Sequence, residues 1–155
     1  MCTTYAICRI IGPSNEECDM NLVEISGQVR NKDAVEDYIH ALAKELNIHR
    51  LYTKLIQVKF SNKLDHDALG LCWGDKDQVI IQISKKHEGA PIEFADMMRA
   101  LAHEMVHAKQ YLRGELCGYT HSWKGKKPRK YKYENSPWER EAYGLENCLY
   151  DICWK

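Results

Sequence analysis

Apolar residues recur along this chain with two periods, and the switches between them mark its elements. Tyr5 to Ile11 reads as a short strand, closed by the turn cluster Gly12-Pro13-Ser14-Asn15. Asp33 stands as the N-cap of a helix running to about Leu46, in which Val35, Tyr38, Ile39, Leu42, Ala43 and Leu46 recur at spacings of three and four. Leu51 to Phe60 alternates in part (Ile56, Val58, Phe60) and predicts a strand. Gly70 to Gly74 is a loop or a second short strand. Val79-Ile80-Ile81-Gln82-Ile83, rich in β-branched residues, is the clearest strand in the chain. Pro91 then opens a long helix from about Ile92 to Leu112, closed by Gly114. A polar and basic stretch, Thr120 to Ser136, follows, and Pro137 starts a last helix through about Tyr150. This order predicts a single α+β domain over residues 1–155, with a sheet packed on helices.

Composition narrows the class. A chain of 155 residues is one ordinary domain, long enough to bury a core without staples. Lys plus Arg and Asp plus Glu both number 22, so no global charge bias points to nucleic acid or a membrane surface. No basic start precedes the first apolar stretch, which Arg9 and Pro13 interrupt, so a signal peptide is not expected. No run approaches the roughly 18 apolar residues of a membrane span. The seven cysteines are odd in number, irregularly spaced and without a CxxC pair. That argues against a thiolate zinc knuckle and suits reduced thiols in a cytosolic protein.

The candidate chemistry lies in the long helix, at His103-Glu104-Met105-Val106-His107. Histidines four apart on a helix project from one face, so both imidazoles can reach one Zn²⁺ at about 2.0–2.1 Å. Glu104 follows the first histidine, where a carboxylate can reach a water on the metal. This is the HExxH pattern of zinc hydrolases. Zinc lowers the pKa of its water and polarises a carbonyl, and a neighbouring carboxylate moves the proton. Two surface histidines and a solvated glutamate would spell the same letters. However, Met97, Leu101, Met105, Ala108 and Leu112 already give this helix an apolar stripe, so packing does not require the histidines. A catalytic zinc needs a third protein ligand. The candidates are His121, Glu139 and Glu141. The last two lie on the first turn of the final helix, about 200° apart, so only one of them can face a metal.

His103-Glu104-Met105-Val106-His107-Ala108-Lys109-Gln110, followed by Pro137-Trp138-Glu139-Arg140-Glu141-Ala142-Tyr143, resembles the gluzincin metallopeptidases. The chain is most similar to the small minigluzincin and SprT-like proteins of prokaryotes and phages. The resemblance covers residues 79–150, about half the chain. It implies a small zincin-like α+β domain: a twisted, mostly antiparallel sheet packed on an active-site helix and a glutamate helix. It also implies a zinc-dependent endopeptidase held in the cytoplasm, a host's if phage-encoded. The Glu-x-x-Ala pattern of such families falls on Glu139 and Ala142, making Glu139 the third ligand and Glu141 a supporting or surface residue. SprT-like proteins instead supply a third histidine, a place that His121 takes only if its loop folds back. In these folds an edge strand before the active-site helix pairs with an extended peptide or protein substrate, and the strand near Ile81 occupies that position in the sequence.

A group opposite the zinc must also stabilise the oxyanion. His121, Tyr131, Tyr133 and Tyr143 are candidates, and Tyr143, one turn beyond Glu139, ranks first. Trp123 and Trp138 read as anchors of the intervening loop. Lys124, Lys126, Lys127, Arg129, Lys130 and Lys132, interleaved with Tyr131 and Tyr133, read first as a solvated loop. Nucleic acid is the less favoured reading of that run, and with it a protease acting on DNA-associated proteins. A zinc-binding interaction module that does not cleave is the remaining alternative. His40, His49, His66 and His87 have no partners at ligand spacing, and Asp65-His66-Asp67 resembles a metal triplet only superficially.

Overall fold

A strand–helix–strand unit opens the part of the chain that the computed structural model describes, residues 21–51, 53–127 and 130–155. β1 (Leu22–Ser26) and β2 (Leu55–Ser61) run parallel, with Leu22 opposite Leu55. α1 (Lys32–Glu45) is the crossover that parallel neighbours need. Its cap is Asn31, in the left-handed region with its side chain accepting from the Ala34 N–H. Asp33 lies inside the first turn, where a carboxylate suits the helix dipole. The expected strand at Tyr5–Ile11 and the turn after it lie outside the described residues.

β3 (Gly70–Gly74) and β4 (Gln78–Ser84) form an antiparallel hairpin, and β4 also pairs with β2 in parallel. The hairpin turns on Asp75, whose side chain accepts from the N–H groups of Asp77 and Gln78 at 2.8 and 3.0 Å. The sheet order is therefore β1-β2-β4-β3. Two expectations are corrected here. The sheet is mixed, with two parallel pairings and one antiparallel, and not mostly antiparallel, because α1 returns the chain along its original direction. Val79–Ile83 is interior and not an edge, because the Asp75 turn folds β3 onto its outer side. Among the described residues the edges are β1 and β3.

Val58, Ile56 and Phe60 on β2, and Val79, Ile81 and Ile83 on β4, point to the helices and are buried. A short ladder, β5 (Lys86–His87) with β6 (Ala90–Pro91), leads into α2 (Phe94–Leu112). Pro91 thus sits in the ladder, and the helix begins at Phe94, later than expected. Every residue from Leu101 to Ala108 is buried. Met98, Leu101 and Met105 are fully so, and each such side chain is worth about 1.5–3 kcal/mol. Packing alone therefore fixes α2. Gly114 follows its end with φ +68°, a conformation suited to glycine. α3 (Pro137–Cys153) begins at Pro137, which needs no N–H partner there, and packs along α2 through Ala142 and Leu149. The described residues thus form an α+β domain with a four-stranded mixed sheet and three α-helices. No described helix is long and apolar enough to cross a membrane.

Candidate metal centre

His103 and His107 face α3 from adjacent turns of α2, and Glu139 meets them from the first turn of α3. All three are buried, with 8, 6 and 2 % of their surface exposed. The two Nε2 atoms lie 3.2 Å apart. Glu139 offers one oxygen to each ring, Oε2 at 3.3 Å from His103 Nε2 and Oε1 at 3.2 Å from His107 Nε2. Donors bound tetrahedrally at 2.0–2.1 Å stand about 3.3 Å from one another. The spacing thus matches that of ligands around one ion.

The far side of each ring shows which atoms carry lone pairs. His107 Nδ1 is 2.8 Å from Gln110 Oε1. The amide's orientation is set by its other end, where Nε2 donates to the Trp138 carbonyl at 3.0 Å and to Glu141 Oε2 at 2.8 Å. Both of those partners only accept, so the amide oxygen faces the imidazole and His107 Nδ1 carries the proton. His103 Nδ1 lies 2.8 Å from Glu146 Oε2 and donates to it. Each neutral ring is left with its Nε2 lone pair aimed at the other and at a carboxylate. Such a group is unfavourable until a cation sits among its members. The buried His103, His107 and Glu139 can hold a metal ion, and the donor set fits one.

Of the three candidates for the third ligand, the structure brings only Glu139 to the histidines. Glu141 turns away and pairs with Lys109 at 2.8 Å, which also holds Glu115. His121 is exposed in the loop, its N–H bonded to the Cys117 carbonyl. With a proton on Nε2 in place of a cation, each ring donates to Glu139: burial raises that carboxyl, but these contacts and the Tyr133 hydroxyl outweigh it and bring it down to about 2. For His103 and His107, burial lowers the pKa; hydrogen bonding to Glu139 and the nearby Glu104 charge reverse this and leave both raised.

Glu104 is buried on the sheet side of the histidines. A Cβ at Gly70 would fall 2.6 Å from Glu104 Oε1, so the carboxylate lies directly on the backbone at the start of β3. Burial pushes it up to about 7, against the pull of His107 and His103. Tyr143 stacks edge-on against His103 with ring centroids 4.6 Å apart and is half exposed. The Tyr133 ring is largely exposed, and its hydroxyl lies near enough to Glu139 to help hold that carboxyl low. Trp123 and Trp138 pack together at 6.1 Å and pin the loop to the start of α3. Lys124, Lys126, Lys127, Lys130 and Lys132 are exposed; Arg129 lies outside the described residues.

Sequence reasoning missed Gln110 and Glu146. Gln110 stands one turn beyond His107 and is fully buried, and Glu146 lies two turns beyond Glu139 on the same face of α3. A second group, Asp67, His87 and Glu88, comes together on the surface, where Asp67 is bonded to both His87 and the Glu88 N–H. Cys72, Cys117, Cys148 and Cys153 are free thiols. No protein-family model matches the chain, and no curated protein is significantly similar to it.

Proposed function

We propose that this protein is a zinc-dependent metallopeptidase of the gluzincin kind, on a zincin-like domain, with His103, His107 and Glu139 as ligands and Glu104 as general base and acid. One observation carries the proposal: two imidazole nitrogens and a carboxylate meet at the spacing of ligands around one ion, with a further buried carboxylate beside them. Two imidazoles and a carboxylate are a zinc donor set that leaves one position open for water or substrate. When bound, zinc supplies Lewis acidity, which brings water into the neutral pKa range and polarises a carbonyl.

Glu104 takes the proton of the attacking water on its carboxylate oxygen and returns it to the leaving amine nitrogen. A carboxylate held near neutrality by burial suits that exchange, although a cation beside it draws its pKa back down. β3, not β4, is the strand we assign to an extended peptide, since among the described residues it is the sheet edge beside Glu104. Tyr143, stacked on His103 and half exposed, is the hydroxyl we assign to the developing oxyanion, with Tyr133 second.

The test is cleavage of unfolded protein and peptide substrates with and without a chelator, by wild type and Glu104→Gln. The expected result is chelator-sensitive cleavage that falls at least about 10²–10⁴-fold in the variant, with one zinc per chain retained. Full activity in Glu104→Gln excludes the mechanism, and no cleavage by zinc-loaded wild type favours the non-cleaving module.

A further inference from the structure

We infer that Glu146 is a positioning residue for the metal centre, orienting His103 and strengthening it as a donor. The metal's part in this rests on the function proposed above; the hydrogen bond between Glu146 and His103 does not.

The two histidines are supported differently. His107 donates from Nδ1 to an amide oxygen, a neutral acceptor. His103 donates from Nδ1 to a carboxylate at the same 2.8 Å. A negative acceptor makes the stronger hydrogen bond and pushes electron density through the ring towards Nε2. His103 is thereby the more basic of the two ligands.

Glu146 has no evident purpose apart from this contact. Its side chain is 24 % exposed, and among the described residues His103 is its one ion-pair or side-chain hydrogen-bond partner. Partly burying an anion against a neutral N–H is costly unless positive charge lies close by. Among the described residues no lysine or arginine pairs with it. A cation on the opposite nitrogen of the same ring would, and the orientation of the ring then serves both ends. Tyr143, stacked on His103 between Glu139 and Glu146 in sequence, confines the ring from the side. α3 thus provides one ligand at Glu139 and, seven residues on, the group that sets a ligand belonging to α2.

Two measurements test this on the full chain. Zinc affinity is read by competition with a chelating indicator for wild type, Glu146→Ala and Glu146→Gln. The expected loss is about 10–100-fold for the alanine variant, the range for a supporting partner of a ligating histidine, with partial rescue in the glutamine variant, which restores a neutral acceptor. Ring-nitrogen NMR on the zinc-free protein, recorded at a pH high enough to keep the ring neutral, is expected to show His103 as the Nδ1–H tautomer in wild type, and a mixture in Glu146→Ala.

Unchanged affinity together with an unchanged His103 tautomer in Glu146→Ala overturns the inference. If that variant does not fold, Glu146→Gln decides alone: wild-type affinity in it overturns the claim that the charge matters. Wild type that binds no zinc sinks the proposed function and the donor role with it, while the tautomer still decides whether Glu146 sets the ring.

Discussion

Single side chains divide the work between Glu139 and Glu141, two residues apart. Elemental analysis is expected to find one zinc per chain in wild type and in Glu141→Ala, and none in Glu139→Ala. Zinc retained by Glu139→Ala would remove Glu139 from the ligand set. Gly70 is as sensitive as any charged residue here, because a methyl at that position falls 2.6 Å from Glu104 Oε1. Gly70→Ala should therefore displace the carboxylate and lower turnover at least tenfold while leaving zinc content unchanged; a variant with normal turnover shows that β3 yields instead. The histidine pair and Glu104 were legible in the sequence because helical spacing alone sets their geometry. Glu146 was not, since its partner is 43 positions away and only packing of α3 on α2 makes them neighbours. Gln110 did leave a signal: an amide one turn past a candidate ligand, at the spacing that puts both on one helix face.

At the scale of elements, the core strands and all three helices were legible from periodicity, and the pairing of the strands was not. β1 has five residues, of which only Val23 and Ile25 alternate inward, too few for a clear signal. Once it is seen, strand–helix–strand over 22–61 forces a parallel pair. α3 packs along α2, and Ala142 is fully buried in the core they share. Ala142→Leu should cost about 1–3 kcal/mol through overpacking and weaken zinc binding, as Glu139 moves with its helix; calorimetry and metal titration on one sample check both. The same interface carries a pH-sensitive link. Burial raises the Glu141 carboxyl, yet Lys109 and Gln110 bring it below its ordinary 4.5. A carboxyl lowered on folding stabilises above its unfolded value and loses that contribution as pH falls through the folded one. The melting-temperature gap between wild type and Glu141→Gln should be full at neutral pH and narrow as pH drops below 4.5. A gap independent of pH would show that the pair adds nothing.

For the molecule as a whole, zinc that binds only the folded chain raises its stability by about 2.7 kcal/mol at a hundredfold excess over Kd. For a domain of this size that is a rise of about 5–11 °C in melting temperature. The rise should vanish with a chelator and in Glu139→Ala; an equal rise in that variant would place the ion elsewhere. The three ligands, His103, His107 and Glu139, and the two partners of the far ring nitrogens, Gln110 and Glu146, stand on just two rods, α2 and α3. Sliding one rod by a single residue moves it about 1.5 Å along its axis. That is enough to break the Glu139 and Glu146 contacts together, since both ride on the same backbone. The pair of helices therefore behaves like a vernier, with one setting at which every mark lines up, and partial misalignment degrades the ligand and its support in step.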